Sequence, residues 1–407
     1  MKKKLAVYMF YDMYKISGGT EEMVVNLLNV LDYNNFDITL VIKYPYIHEH
    51  YLLQIHKSIN IKSILKSKHG KLLYDTNKKF YYKWQWNLYL RFKKNQLKKD
   101  IEKSIYKQHL NYAFKYYDYI IDTSCYYIFE VKFKFFTNIK SKIIAWHHFD
   151  YNELVKWLKP ITKLENFIST IDKLVLVNQT TKTDILKAIN FIDQPKNIFT
   201  IYNGINFERI NTLANTKTDT LSLEEQYIIN TSYILMVARL SVQKDHITLI
   251  KSFNQILSNF PTYNLVLIGD FSSSTNIIYN IIKSLNLEHK VFILGPTTNP
   301  YIWLKHCKIS ILSTNFEGFG LTILESIILN KPVVVSDIEP CLEAINYGKC
   351  GFSFKTGNVN DLTDKILYLL NGSYNKEELL KNYNVFIQKF SLSNFGKEFN
   401  TLLKNMN

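Results

Sequence analysis

Glu317 and Glu325 stand eight residues apart in the stretch NFEGFGLTILE, with Gly318 and Gly320 close behind the first acid. An apolar run, KISILST, precedes this stretch and a second, SIILNKPVVVSD, follows it, so a strand is expected to give way to a helix here. With the strand ending near Thr314 and the helix starting near Gly320, Glu317 falls in the loop and Glu325 about a turn into the helix. The glycines let the backbone of the Gly318-Phe319-Gly320 turn pass close to a ligand. Free N–H groups at Gly320, Leu321 and Thr322, at the positive end of the helix dipole, suit a phosphate, the dipole contributing roughly 0.3–1 kcal/mol. Phosphate would repel a carboxylate such as Glu325, whose place deeper in the helix suits neutral hydroxyls such as those of ribose. Two isolated glutamates are more often a surface loop acid and a solvated helix residue.

The complement to these acids lies in ARLSVQKD, where Arg239 follows a strand and Lys244 comes five residues later, just before a helix. Two cations converging on a diphosphate would neutralise the charge that builds as a sugar–phosphate bond breaks. In so basic a chain, either one alone is more often solvated.

The first half carries weaker signals. KISGGTEEM follows the first strand and opens a helix, so Gly18 and Gly19 could bring backbone close to a phosphate or sugar, although a lone Gly-Gly is more often a turn. IIAWHHFDYN puts His147 and His148 at a strand end. Adjacent strand residues point to opposite faces, so at most one of the two faces a cleft. No third ligand stands near them at metal-binding spacing. The segment Asn77 to His109 is the most basic and aromatic of the chain, with Trp84, Trp86, Tyr89 and Phe92 among its lysines. It suits an anionic lipid surface, a nucleic acid, or a packed helical insertion with solvated lysines.

These residues need elements to hold them. Short apolar runs (LAVYMF, ITLVIKY, YDYIIDTS, KIIAWHH, DKLVLVN) alternate with longer amphipathic segments, the rhythm of a parallel α/β sheet with covered faces. A polar stretch near 207–227 interrupts it, and YILMVARL, YNLVLIGD, KVFILG, KISILST and KPVVVSD restart it. We expect two doubly wound domains, 1–202 and 229–385, joined by a linker at 203–228, with 386–407 as a terminal helix packing back on the first. Open parallel sheets bind ligands at the carboxyl ends of their strands, so chemistry is expected in the loops after YILMVAR, LVLIGD, VFILG and KISILST, all four of which carry Gly, Arg, Asp or Glu.

The chain has 407 residues, 47% hydrophobic, enough for two cores at ~100–200 residues per domain. Its four scattered cysteines lack any CxxC, which disfavours a disulfide framework or thiolate metal site and fits a reducing cytosol. The start, MKKKLAVYMFYD, is too short in apolar residues for a signal peptide, and no apolar run approaches the ~20 residues of a membrane span. A formal net charge of +15 would draw the chain to something anionic.

In combination, these motifs resemble the retaining GT-B glycosyltransferases of family 4. The E-x7-E pair is present as Glu317 and Glu325, the Arg and Lys of a strand–helix loop as Arg239 and Lys244, and the glycine-bearing strand end as Gly269 in LVLIGD. KPVVVSDIEPCLEAINYGKCGF and the interdomain YNGIN also match, so the specific likeness covers about 200–355. The resemblance implies two Rossmann-like domains across a cleft, with the acceptor held by the first and the donor by the second. It assigns the diphosphate to Arg239 and Lys244, the ribose to Glu325, the donor sugar to Glu317, and an approach to that sugar to a strand-end histidine, best matched at His148. Three departures stand out: Ala238 and Phe271 occupy places where glycine is frequent, and SDIEP lacks the usual glycine after its strand.

The expected activity is retaining transfer of a hexose or N-acetylhexosamine from a nucleotide sugar, with UDP as the expected carrier. The expected acceptor is a lipid-linked saccharide in bacterial lipopolysaccharide, O-antigen or capsule biosynthesis, at the inner face of the cytoplasmic membrane. No D-x-D occurs, so no metal cofactor is expected. A nucleic-acid-binding protein is suggested by charge alone and would show duplex binding without nucleotide-sugar hydrolysis. A catalytically dead sugar-nucleotide binder is disfavoured by intact Glu317, Arg239 and Lys244.

Overall fold

The computed structural model describes residues 2–9, 19–43, 47–64, 113–123, 140–148, 151, 162–189 and 195–406. Gly18, Cys125 and the basic aromatic segment 77–109 lie outside them. Strands β1 (Lys3–Met9), β2 (Phe36–Ile42), β3 (Asn60–Ser63), β4 (Tyr119–Asp122), β5 (Lys142–His147), β6 (Lys173–Leu176) and β7 (Ile198–Thr200) form one sheet, in the order 3-2-1-4-5-6-7. Strands β8 (Tyr233–Val237), β9 (Asn264–Ile268), β10 (Val291–Gly295), β11 (Ile309–Leu312), β12 (Val333–Ser336) and β13 (Phe352–Phe354) form a second, in the order 10-9-8-11-12-13. The pairings within both sheets are parallel.

Each order reverses once, between β1 and β4 in the first sheet and between β8 and β11 in the second. Such switch points open a crevice at the strands' carboxyl ends. In β1, Leu5, Val7 and Met9 enter the larger core while Ala6 and Tyr8 enter a second core on the sheet's other face. The same alternation divides Ile144 and Trp146 from Ile143 and Ala145 in β5. With both faces buried, a one-residue slip would exchange the two cores, so the register is strongly specified.

The polar stretch 203–228 is partly helical. It holds a helix Phe207–Ala214, capped by Asn206, and a helix Leu223–Ile229 with a Ser222/Glu225 capping box. Ile210, Ala214, Ile228 and Ile229 are buried while Leu223 and Tyr227 stay exposed, so packing of a few apolar residues overrides the polar composition. The chain crosses between the sheets here and again at 390–391, and the two crossings pair through Ile205 N donating to Phe390 O at 2.8 Å. The last helix, Leu392–Lys404, then lies against the helix Gly19–Val30. Asn400 Nδ2 donates to Val30 O at 2.8 Å, and Phe395 and Phe399 pack on Trp146. Among the described residues no helix is long and apolar enough to cross a membrane.

Candidate active site in the cleft

A cavity of about 530 Å³ lies between the two sheets at the carboxyl ends of their strands. It is lined by Gly19 and His148 from the first half and by Arg239, Lys244, Gly269, Glu317, Gly318, Phe319, Gly320, Leu321, Thr322 and Glu325 from the second. The cavity thus gathers the described residues given a site role from the sequence, with His148 and not His147 representing the histidine pair.

Two loops on either side of the second switch point build most of this wall. The loop after β8 and the loop after β11 are zipped together. Asn315 N donates to Gln243 O at 2.8 Å, Gln243 Nε2 to Phe316 O at 2.8 Å, and Thr314 Oγ1 to Gln243 O at 3.1 Å. This places Lys244 Nζ against Glu317 Oε2 in a largely enclosed ion pair. Arg239 is exposed at the mouth and has no side-chain partner among the described residues. Gly269 follows β9 with φ 155°, and a Cβ there would collide with the carbonyl of Ala238, so only glycine lets the two strand ends approach this closely.

The helix Leu321–Ile328 starts from Gly320, whose φ of 74° turns the chain into it without a side-chain cap. Ile323, Leu324, Ser326 and Ile327 are buried, and Ser326 Oγ donates to Ser310 Oγ at 2.8 Å. This orientation leaves Leu321, Thr322 and Glu325 on the cavity side. Glu325 Oε1 accepts from Tyr301 OH at 3.4 Å. Burial, and then the charge of Glu22, push the Glu325 carboxyl up to about 7.

His148 lines the cavity just beyond β5, whereas His147 is the buried last residue of that strand. The His148 ring packs on Trp146 with centroids 4.3 Å apart, and its Nε2 has no hydrogen-bond partner among the described residues. Burial, and then His147, hold His148 down to about 3, so its imidazole is neutral.

Several cavity residues escaped the sequence reading. Arg209 Nη1 pairs with Glu22 Oε1 at 3.0 Å and Arg209 Nη2 meets His50 Nε2 at 3.2 Å, joining the helix after the first crossing to the first half. Burial raises Glu22 above the ordinary carboxylate range. Asn203, 4% exposed, lines the same cavity with an Oδ1 that has no partner among the described residues. The one sequence signal for Arg209 and Asn203 was their place in YNGINFERI, and Glu22 follows the glycine pair in GGTEEM.

The three departures have structural counterparts. Ala238 supplies the carbonyl that Gly269 accommodates. The edge of the Phe271 ring would meet a Cβ at Gly295 at 3.2 Å, so Phe271 roofs the end of β10. The SDIEP segment leads into a short helix, Glu339–Ala344, with Pro340 in its first turn. Cys307, Cys341 and Cys350 are buried free thiols.

Comparison with known proteins agrees with this architecture. Residues 224–386 match the family model described as Glycosyl transferases group 1. The chain is 26% identical over 251 residues to poly(ribitol-phosphate) alpha-N-acetylglucosaminyltransferase of Staphylococcus aureus, covering 58% of this chain and 46% of that protein. It is 29% identical over 182 residues to N-acetylgalactosamine-N,N'-diacetylbacillosaminyl-diphospho-undecaprenol 4-alpha-N-acetylgalactosaminyltransferase of Campylobacter jejuni, covering 42% of this chain and 46% of that one. The matches thus span less than half the length of these two relatives. Among solved structures, Anabaena Alr3699/HepE in complex with UDP and glucose superposes with a TM-score of 0.72 at 16% identity, over 99% of this chain and all of that one. Staphylococcus aureus TarM superposes with a TM-score of 0.68 at 15% identity, over 98% and 99% of the two chains. The chain therefore has the GT-B fold, two Rossmann-like domains, and residues 224–386 of it match the Glycosyl transferases group 1 model.

Proposed function

We propose that this protein is a retaining glycosyltransferase of family 4 that moves a hexose or N-acetylhexosamine from a nucleotide sugar, with UDP as carrier, to a lipid-linked saccharide. The observation that carries the reading is the single cavity in which Arg239, Lys244, an uncapped helix start and two carboxylates converge. Arg239, Lys244 and the amides of Gly320, Leu321 and Thr322 hold the diphosphate, and Glu325 takes the ribose hydroxyls. Glu317 leaves its pairing with Lys244 as the phosphates arrive and turns to the donor sugar. His148, neutral and without a ring-nitrogen partner among the described residues, offers its ring to the sugar from the first domain. Retention requires attack from the face the diphosphate leaves, and the departing phosphate accepts the acceptor's proton.

Residues 1–202 then form the acceptor side and 229–385 the donor side, with 386–407 returning to the first. The solved neighbour that binds UDP and glucose supports the donor class, and the Campylobacter relative, named for a diphospho-undecaprenol acceptor, supports a lipid-linked one. A role in lipopolysaccharide, O-antigen or capsule assembly at the inner face of the cytoplasmic membrane follows from that acceptor.

Hydrolysis of a panel of nucleotide sugars by the purified chain tests the reading. Turnover of one UDP-sugar above the rest is expected. Salt-dependent duplex binding with no turnover of any donor would replace it by the nucleic-acid alternative. Fixed cations and a helix terminus serve here in place of a divalent ion, so activity should persist in EDTA. Loss on chelation with recovery in manganese would overturn that part.

A further inference from the structure

The loop that carries Glu317 is held from across the cleft. Glu343, on the short helix after β12, is 5% exposed and uses both oxygens. Its Oε1 accepts from Gln179 N at 2.9 Å and from Tyr202 OH at 2.6 Å. Its Oε2 accepts from Thr180 N at 3.1 Å and Thr180 Oγ1 at 2.8 Å. A carboxylate from the second half therefore sits on the first turn of the helix Gln179–Ala188, where dipole and free amides favour it.

Two connections run from this clasp to the loop. Asn178 caps the same helix, its Oδ1 accepting from Thr181 N at 2.6 Å, and this aims its Nδ2 at Gly318 O, 2.5 Å away. Tyr202, whose hydroxyl Glu343 holds, packs its ring on Phe319 with centroids 5.5 Å apart, and Phe319 is 3% exposed. The two contacts grip adjacent residues, Gly318 and Phe319, between Glu317 and the helix start at Gly320.

We propose that Glu343 is a positioning residue that sets the Glu317–Gly320 loop for sugar transfer, acting through Asn178 and Tyr202. The inference rests on the role proposed above for Glu317. Four donors converge on one carboxylate, and an amide of the same size would turn its NH2 toward two of them, so Glu343→Gln breaks the clasp without leaving a void. Asn178→Ser keeps a helix cap but removes the donor to Gly318.

Hydrogen exchange, free UDP titration and donor hydrolysis on the full chain test this. In both variants, exchange in the peptide 315–325 should quicken roughly tenfold while the peptide 246–256 is unchanged. The kcat should fall about tenfold and UDP affinity by clearly less, because Arg239, Lys244 and Glu325 are untouched and the phosphate-facing amides belong to the helix start beyond the gripped residues. Unchanged exchange at 315–325 overturns the proposal, as does a loosened loop with full kcat. Equal losses of kcat and UDP affinity would reduce Glu343 to a strut between the domains. A wild-type chain that turns over no nucleotide sugar would defeat the proposed function alone, since exchange still reports whether Glu343 holds the loop.

Discussion

Lys244 and Glu317 meet directly in the cavity, while Arg239 at its mouth has no side-chain partner among the described residues. If both cations serve the leaving diphosphate, Arg239→Ala and Lys244→Ala should each lower kcat/KM by at least about tenfold, or about 1.4 kcal/mol. Steady-state kinetics on folded variants measure this, and near-wild-type values in both would remove them from the site. Glu325 carries a pH signature. Its carboxyl is raised to about 7 in the free protein, so it is increasingly protonated below that pH, and only the ionised form accepts two ribose hydroxyls. Donor affinity should therefore fall as pH drops through this range, by about tenfold from roughly pH 8 to pH 6, and level off above it. An intact nucleotide sugar is the proper ligand, since its bridging diphosphate does not titrate there. Glu325→Gln should bind more weakly and lose the slope. The same slope in that variant would assign the titration elsewhere.

The two strand-to-helix loops act as one unit because Gln243 bonds both Asn315 and Phe316. Gly320 is where this unit hands over to the helix. A Cβ there would lie 2.8 Å from Ile323 Cδ1 and 3.0 Å from Leu312 Cδ2, at a φ of 74°. Gly320→Ala should cost about 1–2 kcal/mol from the left-handed backbone, with the packing strain in addition. Since the displaced amides are those proposed to meet the phosphates, UDP affinity should fall along with Tm. A scanning calorimeter and a UDP titration separate the two effects, and a lower Tm with unchanged affinity would show that the helix start is not the phosphate site.

Charge belongs to the molecule as a whole. With a net charge of +15 and its densest basic and aromatic segment at 77–109, the chain should co-sediment with vesicles containing acidic lipid and not with neutral ones. Each lysine near such a surface contributes up to ~1 kcal/mol, and salt should weaken the attraction. Replacing Trp84 and Trp86 by Ala should reduce the salt-resistant remainder. It should also slow transfer to a lipid-linked acceptor more than to a short soluble one. Binding indifferent to lipid charge would leave the segment a packed insertion.

The fold class, ten of the thirteen described strands and the residues that line the second half's side of the cavity were legible in the chain because they are local, whereas the short strands β3, β7 and β13 carried too few apolar residues to stand out. Apolar runs bounded by polar segments mark buried parallel strands, and a strand-to-helix junction with glycines and acids keeps its chemistry within about ten residues. Glu317, Glu325, Arg239 and Lys244 could be named for that reason. What stayed hidden depends on residues far apart in sequence that meet only after the chain has crossed the cleft twice. Arg209 gains meaning from Glu22 and His50, and Glu343 from the helix start at Gln179 and from Tyr202. Of the two histidines, period-two alternation left open which one faces the cleft. The end of β5 at His147 frees His148 to line the cavity. The elevated Glu325 likewise has no sequence signature, since desolvation and the Glu22 charge arise only when the two sheets face each other.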